Sequence, residues 1–227
     1  KDFVINLSNR KLIQGLINQL KISSEKQKMT VIRAIDKLDR IGISGVEQLL
    51  KKGRKDQSGD FTKGADLSDT QTSEIINFLK LKDISDIKNI LTDKLAIEGI
   101  NEIQKILEGI KYSGYESQIN FNPTVVRGLE YYTGAIFEAN LTFKVKNLKG
   151  KEVEFGSIGG GGRYDNLVSR FNKTDLPATG ISIGLDRLIF ALTQLEKINY
   201  SNKEPIIICI LDEKYLPKYY EILKELR

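Results

Sequence analysis

The chain has 227 residues, is 40% hydrophobic, carries a formal net charge of +5 and contains one cysteine and no histidine. That length and apolar share suffice for one large or two modest buried cores. The missing histidine excludes every His-based triad and His-liganded metal, leaving Arg, Lys, Tyr and carboxylates as the chemistry, and one cysteine permits no internal disulfide.

At the start, "DFVINL" alternates like a half-buried strand, and "RKLIQGLINQL" then sets Leu12, Leu16 and Leu20 on one helical face. From residue 23 to residue 110 the period is helical throughout and no strand signal interrupts it. Ser44 and Glu47 read as a capping box ahead of "VEQLLKK" with Gly53 as its stop, and Ile100, Ile103, Leu107 and Ile110 line a later helix. This stretch reads as a helical module inserted between pieces of a sheet domain. Its charge is uneven: residues 21–63 hold 11 Lys or Arg against 6 Asp or Glu, and residues 64–112 hold 6 against 9. The basic half peaks at "KKGRKD", which reads either as a solvated helix end or as a contact to a polyanion such as RNA through Lys51, Lys52, Arg54 and Lys55.

After Tyr112 the period becomes two. "QINFN", "GAIFEANLTFKV" and "KEVEFGSI" read as antiparallel strands, the last two joined by a turn at "KNLKG". "GISIGLDRLIFALTQL" reads as a strand turning through Gly184 into a helix with Leu185, Leu188, Ile189 and Leu195 on its apolar face. "PIIICIL" predicts a buried strand over Ile206–Leu211 that encloses Cys209, and "YLPKYYEILKELR" a helix beginning a further unit. No apolar run reaches the roughly 20 residues of a membrane span, and "KDFVINLSNRK" lacks a signal-peptide layout, so a soluble cytoplasmic protein is expected.

Three stretches could carry chemistry. In "RGLEYYTGAIFEA", Arg127 offers a planar donor fork suited to a carboxylate or phosphate, or an ion pair to Glu130 or Glu138. Tyr131 and Tyr132, read as part of an extended segment, point to opposite faces. In "GSIGGGGRYDNLV", four successive glycines let a backbone come close to something, or form a wide loop or bulged strand; Walker A and dinucleotide patterns both fail here. In "GISIGLDRL", Arg187 sits in the first turn of a helix, where anions are favoured, or pairs with Asp186 on the surface.

Taken in order, these three stretches resemble the histidine-binding motifs and third class motif of histidyl-tRNA synthetases, which are class II aminoacyl-tRNA synthetases. The resemblance implies an α+β fold: a class II antiparallel sheet with helices, interrupted by an all-helical insertion, and the start of an α/β anticodon-binding domain. The implied divisions are residues 1–22 (catalytic core), 23–110 (insertion), 111–200 (catalytic core with the histidine motifs and the third motif) and 205–227 (anticodon-binding domain). It implies ATP, with Mg2+, L-histidine and tRNA(His) as partners, in a homodimer. Arg127 would bridge the histidine carboxylate and the α-phosphate, Arg187 would hold the γ-phosphate beside Gly184, and Tyr132 with Tyr164 would enclose the imidazole. Glu130, Tyr131, Gly160 and Gly161 complete the implied histidine site, and no metal ligand comes from these residues. The family's first two motifs have no match here, so a fragment inactive alone is expected. Two rivals share the fold: the synthetase-like regulatory subunit of ATP phosphoribosyltransferase, and a synthetase-like domain that senses tRNA.

Overall fold

A computed structural model describes residues 3–127, 131–146, 152–154, 156–167, 169, 174, 176–195, 198 and 206–226. Phe3–Asn9 forms strand β1, and Asn9 ends it by capping helix α1, Arg10–Gln19, its side-chain oxygen accepting from the amide of Lys11. Four helices follow with a hairpin among them: α2 (Glu25–Ile35), α3 (Leu38–Leu50), β2 (Gly53–Lys55), β3 (Phe61–Lys63), α4 (Asp69–Lys80) and α5 (Ile84–Ile90). Helix α6, Lys94–Lys111, then leads through a short 3-10 turn to β4, Ile119–Phe121. The remaining elements are β5 (Ala135–Leu141), β6 (Lys144–Lys146), β7 (Glu152–Glu154), β8 (Ser157–Arg163), β9 (Thr179–Ile183), α7 (Leu185–Gln194) and α8 (Leu216–Glu225). Among the described residues no helix is long and apolar enough to cross a membrane.

The central sheet has five strands in the order β4-β1-β5-β8-β9. It is mixed rather than antiparallel, because β4 runs parallel to β1 with Ile5 opposite Ile119. A parallel neighbour requires a crossover connection, and the helical stretch between β1 and β4 is that connection. The run expected as one strand from Gly134 to Val145 breaks at Thr142 and Phe143. Beyond the break β6 pairs, among the described residues, with β7 alone, Lys144 opposite Glu154, and most of the intervening "KNLKG" turn lies outside those residues.

One face of the sheet is apolar and packs on the helices. Leu7 of β1 joins Leu12, Ile13, Leu16 and Ile17 of α1, Ala96, Ile100 and Ile103 of α6, and Val31, Leu50, Ile75 and Phe78 of the other helices in a single buried cluster, with Phe137 of β5 against it. Helices α1 and α6 approach closely at Gly15, where a Cβ would come within 2.5 Å of the Ala96 methyl. The helical stretch thus shares its core with the sheet, and Lys1–Ala191 forms one compact unit while Leu192–Arg227 forms a second.

Several local expectations need correction. The helical stretch is interrupted by the β2–β3 hairpin, so the insertion is not all-helical, and Gly53, with φ of 123°, opens β2 rather than stopping a helix. The reciprocal bonds of a capping box occur at Ser68 and Gln71. Ser44 instead lies two residues past Gly42 (φ 66°), a non-helical break that divides α3 into two helical segments, and Glu47 pairs with Lys51 at 3.1 Å. On α7, Leu185 is 64% exposed and the fully buried position is Ala191.

Residues Ile206–Leu211 form no strand and end in a bend at Leu211, and Ile207 and Leu211 are more than four-fifths exposed, at 81% and 88%. Cys209 is exposed as well. An apolar run becomes a buried strand only where a neighbour takes up its amides and a second layer covers it, and none does so among the described residues.

Candidate active site

The other face of the sheet owes its character to missing side chains. Gly160 and Gly162 lie two residues apart on β8 and so share a face, and β9 sets Gly180 directly opposite Gly162. Each of the three supports one side chain. A Cβ on Gly160 would collide with the Arg127 guanidinium, one on Gly162 would lie 2.8 Å from the Tyr132 ring, and one on Gly180 would meet the Tyr164 hydroxyl. Gly161 allows another close approach, since a Cβ there would run into the Gly180 carbonyl. The four-glycine run is therefore a strand, with a register shift opposite Ala139 and Asn140, and the glycines leave a bare floor for three functional groups.

Arg127 is half-buried and adopts φ of 45°, a left-handed conformation uncommon for a residue with a side chain. Its Nη2 donates to Ser157 Oγ and to the Gly159 carbonyl, both at 3.2 Å, and lies 3.6 Å from Glu138 Oε1. Of the partners weighed for it, the ion pair to Glu138 forms, while its Nε is buried without a hydrogen bond among the described residues. Asn6, Asn122, Thr124, Glu138 and Asn140 line a polar cavity of about 200 Å³ with it. Glu130 lies outside the described residues.

Tyr131 and Tyr132 do not sit on opposite faces. Residues 131–134 are a turn rather than a strand, and the two rings meet with centroids 4.7 Å apart at 50°, Tyr164 standing edge-on to Tyr131 at 5.8 Å. Tyr132 is 6% exposed and packs on Val125 and Ile136. Burial, helped by a hydrogen bond with Tyr131, pushes the Tyr132 hydroxyl up to about 12, so it remains a neutral phenol able to donate and accept.

Two segments distant in sequence are laced together here. The Thr133 amide donates to the Arg163 carbonyl at 2.9 Å, the Thr133 hydroxyl donates to Asp165 Oδ2 at 2.7 Å, and the Asp165 amide returns a bond to that hydroxyl at 3.1 Å. Arg163 Nε donates to both Asp165 oxygens, at 2.9 and 3.1 Å. Burial opposes ionisation of Asp165, but the Thr133 and Arg163 donors outweigh it and hold the carboxyl below its ordinary value. The Thr133–Asp165 pair is absent from the residues expected by sequence; its signal was the "T" after "YY" and the "D" ending "GGRYD".

Arg187 sits in the first turn of α7, as expected, and does not pair with Asp186. Its Nη1 donates to the Ser157 carbonyl at 2.7 Å, while the Gly184 amide donates to the Ile158 carbonyl at 2.7 Å. Arg127 and Arg187 therefore grip the two sides of Ser157, a residue that sequence reading passed over although it directly precedes the glycines. Away from this face, Lys51 is committed to Glu47 and to Asp69 at 2.8 Å, whereas Lys52 and Lys55 are exposed beside Arg54 on the hairpin. No group of three His, Cys, Asp or Glu residues that could hold a metal ion occurs among the described residues.

Residues 1–188 match the family model described as Histidyl-tRNA synthetase. The histidine–tRNA ligase of Pelagibacter ubique is 56% identical over 227 residues, a match covering 99% of this chain and 49% of that relative. The crystal structure of histidyl-tRNA synthetase from Nostoc sp. PCC 7120 superposes with a TM-score of 0.69 at 29% identity, covering 100% of this chain and 51% of that one. An ATP phosphoribosyltransferase regulatory subunit/histidyl-tRNA synthetase from Bacillus halodurans C superposes at 0.64 with 20% identity, covering 85% and 45%, which speaks to the fold alone. The chain spans about half the length of the curated relatives it matches.

Proposed function

The chain belongs to the histidyl-tRNA synthetase family, and from that premise we propose that its glycine-floored face works in the ATP-dependent activation of histidine and the transfer of the histidyl group to tRNA(His). The observation that carries this reading is Arg127 lying across Gly160 beside the tyrosine cluster, on a face stripped of competing side chains.

In adenylation the substrate carboxylate is the nucleophile: its oxygen bonds to the α-phosphorus as the bond to pyrophosphate breaks. No enzymic base is required, which suits a chain without histidine. The demand is for cations around phosphate oxygens gaining charge. Arg127 would exchange its contact with Glu138 for the histidine carboxylate and the α-phosphate. Arg187, with the α7 N-terminus, would hold the γ-phosphate next to Gly184.

Tyr132, neutral and buried, would hydrogen-bond the imidazole, Tyr164 would close the pocket, and Tyr131 would fix the Tyr132 hydroxyl. Gly160 and Gly161 would admit the flat strand beneath the amino acid, and Glu130 is retained as a histidine contact from the family motif. ATP would act as its magnesium complex, with no metal ligand assigned to this chain. Lys52, Arg54 and Lys55, with Lys51 at their base, would meet tRNA in the full-length homodimeric protein. The division into residues 1–22, 23–110, 111–200 and 205–227 is part of the same proposal.

Pyrophosphate exchange on the full-length protein tests it. Arg127→Ala should cut the exchange rate by on the order of 10²-fold or more, with a smaller change in histidine binding, because α-phosphate charge grows mainly in the transition state. A rate within about threefold of wild type would leave Arg127 as a structural partner of Glu138.

A further inference from the structure

Arg10 is 3% exposed, at the first position of α1, a burial that arginine rarely tolerates without a defined task. Its Nη1 donates to the Val126 carbonyl at 3.1 Å and to the Arg127 carbonyl at 3.3 Å. Its backbone amide donates to the Gly134 carbonyl at 2.9 Å. One residue thus binds both ends of the segment bearing Arg127, Tyr131 and Tyr132.

From this we infer that Arg10 is a positioning residue: its guanidinium, by pinning the carbonyls of Val126 and Arg127, holds Arg127 over Gly160. The inference rests on reading Arg127 as the cation of adenylation. The local physics supports the assignment. Arg127 sits at φ 45°, a conformation that relaxes unless its surroundings enforce it, and the two carbonyls flanking that residue are the atoms a guanidinium must hold to do so. Both bonds leave one terminal nitrogen, whose two hydrogens lie in the guanidinium plane, so a single group fixes two successive peptide groups at once. The anchor itself is rigid, since Asn9 caps α1 and bonds Glu102 of α6 at 2.6 Å.

The test is a double-mutant cycle on the full-length protein, with pyrophosphate exchange measured against histidine concentration for Arg10→Gln, Arg127→Ala and the double variant. Arg10→Gln should lower kcat/KM by on the order of 10²-fold when Arg127 is present and by less than about threefold when it is absent, because displacement of Arg127 is the damage. Equal losses in both backgrounds would show a merely structural role and overturn the inference while leaving the reading of Arg127 intact. A loss below about threefold for Arg127→Ala alone would overturn that reading first, and the inference with it. Arg10→Lys, which keeps the buried charge on a shorter side chain of different shape, carries the same cycle should Arg10→Gln fold poorly, with an expected loss of about tenfold. Failure of both variants to give soluble protein would mean that Arg10 serves folding rather than Arg127, and would also overturn it.

Discussion

The guanidinium of Arg127 occupies the space above Gly160 that any side chain at that position would fill. Two residues separated by 33 positions in sequence are thereby a single design, a cation and the absence that admits it.

Gly160→Ala should therefore reproduce the Arg127→Ala phenotype with Arg127 still present. The added methyl would meet the guanidinium and lie 2.8 Å from the Phe137 carbonyl oxygen. If Arg127 is the cation proposed for the α-phosphate, pyrophosphate exchange should fall by on the order of 10²-fold, the cost of displacing it. Exchange within about threefold of wild type would show that Arg127 can act from elsewhere.

The tyrosines should act as a coupled set. Tyr132→Phe should raise the Michaelis constant for histidine by on the order of 10-fold, since it leaves a buried partner of the imidazole unpaired. Tyr131→Phe should have a smaller effect in the same direction, because its hydroxyl is bonded to that of Tyr132. A larger effect from Tyr131→Phe would assign the imidazole contact to Tyr131.

Raised to about 12, Tyr132 should also be a late-titrating phenol. Its folded value exceeds the unfolded one of about 10, so its contribution to stability is complete below pH ~10 and is lost as pH rises toward 12. Ultraviolet titration of phenolate absorbance should lose its latest component in Tyr132→Phe. An unchanged late limb would place that phenol elsewhere.

Asp165 works in the opposite sense. Its carboxyl is held below the ordinary value of about 3.9, so the stability it adds is present above that pH and lost as pH falls through the folded value. Asp165→Asn should flatten the decline of melting temperature as pH falls below about 4. Thr133→Val should do so less, since Arg163 remains. Parallel acid limbs for wild type and Asp165→Asn would remove the lacing role.

On the hairpin, neutralising Lys52, Arg54 and Lys55 should reduce the salt dependence of tRNA binding by up to about 0.9 log unit per lost phosphate contact, with adenylation unchanged. Lys51 should contribute least, because Glu47 and Asp69 already occupy it. An unaltered salt slope for the triple variant would mean these charges only solvate the hairpin.

What the sequence determined by itself was whatever depends on neighbours along the chain. The passage from β1 into α1, the leucine stripe of Leu12 and Leu16, the change of period after Tyr112 and the turn through Gly184 into α7 are all local, and each stands in the structure. The motif order was likewise enough to name the family. Only the tertiary structure could decide quantities that need a partner from elsewhere. The parallel pairing of β4 with β1 depends on where a crossover of about a hundred residues returns the chain, and three-residue strands such as β2 and β3 carry too few positions to show a period. The Tyr131–Tyr132 contact reversed the expected alternation because alternation holds only within a strand, and those residues form a turn. "PIIICIL" looked like a buried strand because apolar residues state a preference for burial, whereas burial itself requires another surface to supply it. For the same reason Arg10 was invisible. Nothing local distinguishes a buried arginine whose guanidinium holds two carbonyls from one in solvent; that difference exists only once β1, α1 and the Arg127 segment have come together.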